Sequence, residues 1–202
     1  PIKKGASAVK DVSTIDSKQY FTLIPSRRQW SPYANNNNAN FENAYDNNVN
    51  SVKARQSIES HYYLQIADML QGLYGNNDQK QYNDSVLLIK EVFPEFNQYD
   101  VVNQDDRLHI QYTTGDKVTH RADFLGDGVV SIIAIAAFLV SKKDTILIID
   151  EPELSLHPLA QRRLAKMLAN RSMNQQIIIC THSPYFIDWQ YLTNGAKLNK
   201  IT

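Results

Sequence analysis

Thr145-Ile-Leu-Ile-Ile-Asp-Glu-Pro-Glu-Leu-Ser-Leu-His-Pro158 is the stretch that decides how this chain folds. Ile146, Leu147, Ile148 and Ile149 form an unbroken apolar run in which all but Leu147 are β-branched. Such a run reads as a short strand buried on both faces of a parallel sheet. Asp150 and Glu151 follow at once. Two carboxylates at the end of a buried strand are costly unless something there needs negative charge. Pro152 stops the strand, because it cannot donate to a sheet ladder. In open α/β sheets, ligands lie beyond the carboxyl ends of the strands. The acidic pair therefore falls where a magnesium–phosphate ligand would lie. A strand end with a solvated acidic turn would carry the same residues, so the neighbouring segments must decide.

Downstream, Ala160, Leu164, Met167 and Leu168 make one apolar stripe of a helix that starts at Leu159 and ends near Asn170-Arg171. Arg162, Arg163 and Lys166 form its wet face. Gln176 to Cys180 is a second apolar strand, followed by Thr181-His182-Ser183-Pro184. Strand, helix, strand predicts a βαβ unit with parallel strands, which brings His182 to the same sheet edge as the carboxylates. Neutral imidazole can hydrogen-bond a phosphate or an attacking water; a histidine packed at a strand end is the plainer alternative. His157, before Pro158 at the helix start, shapes the turn. Upstream, the segment Val129 to Val140 is apolar on nearly every face and reads as a buried helix. Gly126, Asp127 and Gly128 precede it, and their backbone N–H groups at a helix start form a ready anion site.

Together these strings resemble the ABC-type ATPase superfamily, and within it the SMC-like and OLD-family AAA ATPases. The apolar run with Asp-Glu-Pro-Glu-x-x-Leu-His-Pro is similar to the Walker B and D-loop. The resemblance implies that Asp150 holds magnesium, that Glu151 orients or deprotonates the attacking water, and that Glu153 to Pro158 reach a partner subunit. Thr181 to Pro184 resembles the switch loop, whose histidine, here His182, contacts the γ-phosphate of ATP. Gly126, Asp127 and Gly128 resemble the signature motif that binds the γ-phosphate held by the opposite subunit. Gly126 stands where the signature serine would be, and Asp127 must point away from phosphate or cap the helix. Tyr20 to Ile24 reads as a strand, and the Ile-Pro-x-Arg string after it is similar to OLD-like ATPases. Arg27 or Arg28 would then meet phosphate or a neighbouring subunit; a surface arginine pair beside Trp30 is the equal alternative.

The pattern also departs from that family. The phosphate loop Gly-x-x-x-x-Gly-Lys-Ser/Thr is absent, and Lys3-Lys4-Gly5-Ala6-Ser7 has some of its residue types without the spacing. The expectation is a single partial ATPase domain lacking an N-terminal lobe. Residues 1–30 form its first strand region, 31–84 an asparagine-rich loop and helical insertion, 85–142 the signature lobe, and 143–202 the Walker B to switch-loop core. The asparagine tract around Asn35 to Asn38 cannot bury a core. Val52 to Leu73 and Val86 to Phe93 read as helices, Tyr99 to Asn103 and Arg107 to Tyr112 as strands, and Thr114 to Lys117 as a hairpin turn.

Bulk properties narrow the field further. Lys+Arg and Asp+Glu both number 21 in 202 residues, so no global basic field announces a nucleic-acid partner. A single cysteine fits a reducing, cytoplasmic setting, and no apolar run is long enough to span a bilayer. The fold expectation is α/β: an ABC-ATPase-like head of P-loop NTPase type, with a mainly parallel sheet core and a helical signature lobe. The resemblance implies Mg²⁺-dependent ATP hydrolysis by a homodimer that sandwiches nucleotide. Heads of this kind serve DNA-repair or phage-defence systems beside a nuclease or toxin subunit, with nucleic acid as a further partner and no membrane. The alternative is a catalytically inactive ATPase-like module that dimerises and binds a partner. A membrane-transporter subunit is disfavoured by the Leu-His-Pro context.

Overall fold

The computed structural model describes residues 21–26, 66, 69–74, 79–104, 107–121, 127–142 and 144–199. The predicted asparagine-rich loop, the Lys3 to Ser7 string and most of the predicted Val52 to Leu73 helix lie outside these residues; Ile66 and the stretch 69–74 are helical.

A parallel sheet is built from β1 (Phe21–Ile24), β5 (Ile146–Asp150) and β6 (Ile177–Cys180), in the order β1-β5-β6. Phe21 pairs with Ile146 and Ile24 with Ile149 across one edge of β5, and Leu147 pairs with Ile177 and Asp150 with Cys180 across the other. Between β5 and β6 runs α3 (Pro158–Arg171), which gives the expected βαβ order. A second, antiparallel sheet holds β2 (Phe96–Gln104), β3 (Arg107–Thr114) and β4 (Thr119–Arg121). Its β3–β4 turn has Lys117 at φ 63°, with the Lys117 N–H donating to the Thr114 carbonyl at 2.8 Å. Further helices among the described residues are α1 (Gln79–Val92), α2 (Asp127–Ser141) and α4 (Trp189–Thr193). The α/β reading with a parallel sheet is therefore borne out.

Residues 132–140 of α2 are almost wholly buried, which an all-apolar helix requires. It packs against α1, and α1 packs against α3. Arg163 of α3 donates to the Val92 carbonyl at 3.2 Å, satisfying a free acceptor at the C-terminus of α1. His157 caps α3, with Nδ1 accepting a long 3.4 Å bond from the Leu159 N–H, and Pro158 occupies the first turn. The turn-shaping role read for His157 is what the structure shows.

Burial of β5 on both faces was expected; its residues alternate between buried and half-buried. Ile24, Leu147 and Ile149 are fully buried against the helices, whereas Phe21, Leu23 and Ile178 on the opposite face are about half exposed (46%, 53% and 42%). The strand alternates buried and half-buried residues because the described helices cover only one face of the sheet. A continuous apolar run does not distinguish one covered face from two.

Beside this core lies a tyrosine network. Tyr82 donates to the Tyr99 carbonyl at 2.7 Å, and the Tyr99 hydroxyl shares a hydrogen bond with Ser85 at 3.0 Å. Burial pushes the Tyr99 phenol up to about 12, and burial together with Tyr99 and Asp100 raises Tyr82 as well. A phenol raised in the folded state stabilises the fold below its unfolded value, near 10, and that stability is lost as pH rises through the folded value. The urea midpoint should therefore fall between about pH 10 and pH 12. In Tyr99→Phe that fall should be shallower, and an unchanged slope would remove Tyr99 as its source.

Candidate functional site

At the carboxyl ends of β5 and β6 the ladder runs one residue past Asp150: the Glu151 N–H donates to the Cys180 carbonyl at 2.7 Å. The chain then turns sharply. Glu151 sits at φ 42° and Ser155 at φ 62°, both in the left-handed region that non-glycine residues rarely occupy. Pro152 is buried in between. Two backbone bonds close the turn, from Leu154 N–H to Glu151 carbonyl at 3.2 Å and from Leu156 N–H to Glu153 carbonyl at 3.0 Å. Such strain persists only where the surroundings enforce it. Here the buried proline and the start of α3 do so.

The turn directs the Glu151 carboxylate across to the loop after β6. His182 Nε2 lies 3.5 Å from Glu151 Oε1, with the histidine side chain 92% exposed and the glutamate 32%. Asp150, half-buried, ends the strand beside them. The structure thus brings Asp150, Glu151 and His182 to one sheet edge, as their spacing predicted. The remaining site candidates fare differently. Arg27, Arg28 and Gly126 lie outside the described residues. Asp127 is the first residue of α2.

Gly128 is held by a contact that its sequence position did not announce. A Cβ at this residue would lie 2.6 Å from the Ser155 carbonyl oxygen and 3.0 Å from Leu156 Cδ2. The first turn of α2 therefore packs directly on the acidic turn, and glycine there serves close approach rather than a special φ.

Two side chains join the two loops: Glu153, read from the sequence only as part of the segment reaching a partner subunit, and Gln161, to which no role was given. Glu153 Oε1 accepts from the backbone N–H groups of His182 (2.8 Å) and Ser183 (3.0 Å). Gln161 of α3 donates to the Leu156 carbonyl at 2.8 Å and accepts from Ser183 Oγ at 2.7 Å. Glu153 looked like one more acid in an acidic string. Gln161 falls between the apolar and charged faces of α3, and no local pattern marks it.

The oxygen donors at this edge suit a hard divalent cation. Among the described residues no group of three or more His, Cys, Asp or Glu side chains is gathered around a common point. Magnesium is held by one or two carboxylates together with water and substrate phosphates, and Asp150 and Glu151 place carboxylates at this edge. The donor set therefore fits the metal. The triphosphate finds no such match, since the phosphate-loop string is absent from the sequence.

A parallel sheet with acidic and histidine loops at one edge defines the class as α/β, and the family model agrees. Residues 10–188 match the family described as "AAA domain, putative AbiEii toxin, Type IV TA system", and the chain belongs to that family of ATPase domains. It is 38% identical over 95 residues to the OLD nuclease of Thermus scotoductus, covering 44% of this chain and 18% of that protein. An uncharacterised protein of Methanocaldococcus jannaschii is 27% identical over 131 residues, covering 62% of this chain and 16% of that protein. The chain thus spans less than a fifth of the length of these curated relatives. Among solved structures, the Smc head domain of Pyrococcus furiosus, bound to the C-terminal domain of ScpA, superposes with a TM-score of 0.46 at 13% identity, covering 67% of this chain and 37% of that one. No described helix is long and apolar enough to cross a membrane.

Gly128→Ala should destabilise the fold by about 1–3 kcal/mol, because the Ser155 carbonyl is backbone and must shift to admit a methyl group. Gly115→Ala, where a Cβ would meet Glu95 oxygen at 3.9 Å, should stay within about 0.5 kcal/mol of the parent. Urea denaturation of the two variants side by side checks the difference.

Proposed function

We propose that this chain contributes the hydrolytic edge of an ATPase head that closes around nucleotide as a homodimer. The observation that carries the reading is the approach of His182 to Glu151 at 3.5 Å, beside Asp150, at the carboxyl edge of a parallel sheet. Asp150 holds Mg²⁺, which when bound neutralises charge on the phosphates. The Glu151 carboxylate orients the attacking water and accepts its proton, while His182 donates a hydrogen bond from the facing loop. Both side chains reach solvent, as groups that must meet a diffusing water and nucleotide require.

The D-loop segment Glu153 to Pro158 faces the second subunit in this reading. Leu154 and Leu159 within and beside it are exposed apolar residues that such a contact would cover. Gly126, Asp127 and Gly128 meet the nucleotide held by the opposite head, and Arg27 or Arg28 adds a phosphate or subunit contact. The similarity to an OLD nuclease supports a nuclease or toxin subunit as partner, in cytoplasmic DNA repair or phage defence, with nucleic acid at hand. A second reading is an inactive module that dimerises and binds a partner.

ATP turnover with magnesium, measured on this chain and on any longer natural form, separates the two. Glu151→Gln should lower turnover by about a hundredfold or more and accumulate an ATP-dependent dimer by size-exclusion chromatography. If no form binds nucleotide, the hydrolytic reading fails and the binding module remains.

A further inference from the structure

His182 has almost no side-chain packing to hold it, being 92% exposed. Its place opposite Glu151 is set by its backbone. That backbone is gripped by the loop that carries Glu151: Glu153 Oε1 accepts from both the His182 and the Ser183 N–H. We propose that Glu153 is a positioning residue that sets His182 against Glu151, a role resting on the reading of that pair as the hydrolytic one.

Three features carry this. A carboxylate accepting two successive backbone N–H groups makes charge-assisted bonds, roughly twice as strong as neutral ones. Its other oxygen, Oε2, is buried without a hydrogen-bond partner. A sheltered, unpaired carboxylate oxygen is costly, so the side chain is at odds with its surroundings except for what Oε1 does. Finally, the grip falls on the amide of the residue whose ring faces Glu151, and no residue of α3 intervenes. Gln161 supplies a parallel tie one residue on, joining the Leu156 carbonyl to Ser183 Oγ, which in turn accepts from the Tyr185 N–H at 3.2 Å. Glu151 and Glu153 thus divide the work: one carboxylate faces the imidazole, and the other fixes the backbone beneath it.

The test uses the full chain without nucleotide, by nuclear magnetic resonance with hydrogen exchange. In Glu153→Ala the His182 amide should exchange about tenfold or more faster, the Ser183 amide, which also donates to Thr181 Oγ1 at 3.0 Å, less so, and the Leu164 and Leu168 amides in α3 should keep parent rates. The His182 ring resonances should move with them. In Glu153→Gln, which keeps an acceptor of the same shape but no charge, both amide protons should shift upfield while exchange and ring resonances return towards the parent. If Glu153→Ala exposes the α3 amides as well, Glu153→Gln decides alone. His182 amide exchange and ring resonances that stay at parent values in a folded Glu153→Ala, or a His182 amide proton that does not shift in Glu153→Gln, would overturn the proposal. Loss of ATP turnover by the parent would sink the hydrolytic reading and leave these resonances unaffected, so the two failures are distinguishable.

Discussion

The parallel pairing of β5 to strands on both its edges is the constraint from which the rest follows. Registered against β1 and β6 together, β5 cannot slide without unpairing both ladders and turning its buried residues to the other face. Its entry is pinned as well. Gln175, buried, donates to the Lys142 and Thr145 carbonyls at 2.6 and 3.0 Å, and Thr22 and Thr145 share a hydroxyl hydrogen bond at 3.1 Å. With the entry and register fixed, Asp150 must end opposite Cys180, and Glu151 must leave the sheet where the chain emerges from β6. The meeting of Glu151 with His182 is thus a consequence of sheet register before it is a matter of side-chain attraction.

Attraction could not do the work. Both partners reach solvent, and exposed pairs at such distances contribute little because water screens the charges and the side chains lose freedom. The geometry must therefore be carried by backbone and by groups that do not face the site. The turn at residues 151–156 meets three supports: the first turn of α2 through Gly128, α3 through Gln161, and the loop after β6 through Glu153. Left-handed φ angles at Glu151 and Ser155 are tolerated because all three supports hold the same short segment. Removing the glycine, the amide or the carboxylate loosens a different side of one joint.

Much of this was legible in the sequence, and the reasons differ by element. Ile146 to Ile149 and the run before His182 are short, apolar and bounded by Pro152 and Pro184, so strand assignment and βαβ order followed from composition and punctuation. The α2 helix was legible because no face of it is polar. Among the described residues only one face of the sheet is covered, which an apolar run does not report, since it shows what a strand tolerates and not what covers it. The opposite face, with Phe21, Leu23 and Ile178, shows the difference. Glu153 and Gln161 were invisible as ties, because each acts on residues distant in sequence and neither disturbs a local period. Gly128 was read for its N–H, when the missing Cβ was the structural requirement.

A joint of this kind favours transmission between the elements it connects. Ser155 lies against the start of α2, and only one residue separates it from Glu153, which holds the His182 amide. The segment between them is a single residue, and Ser155 at its end is held in the left-handed region. Packed cores respond to displacements by switching arrangement rather than by deforming smoothly. The same rigidity explains why a strained, carboxylate-rich turn can stand at the rim of the sheet. Its shape is imposed by β5, α2 and α3 together.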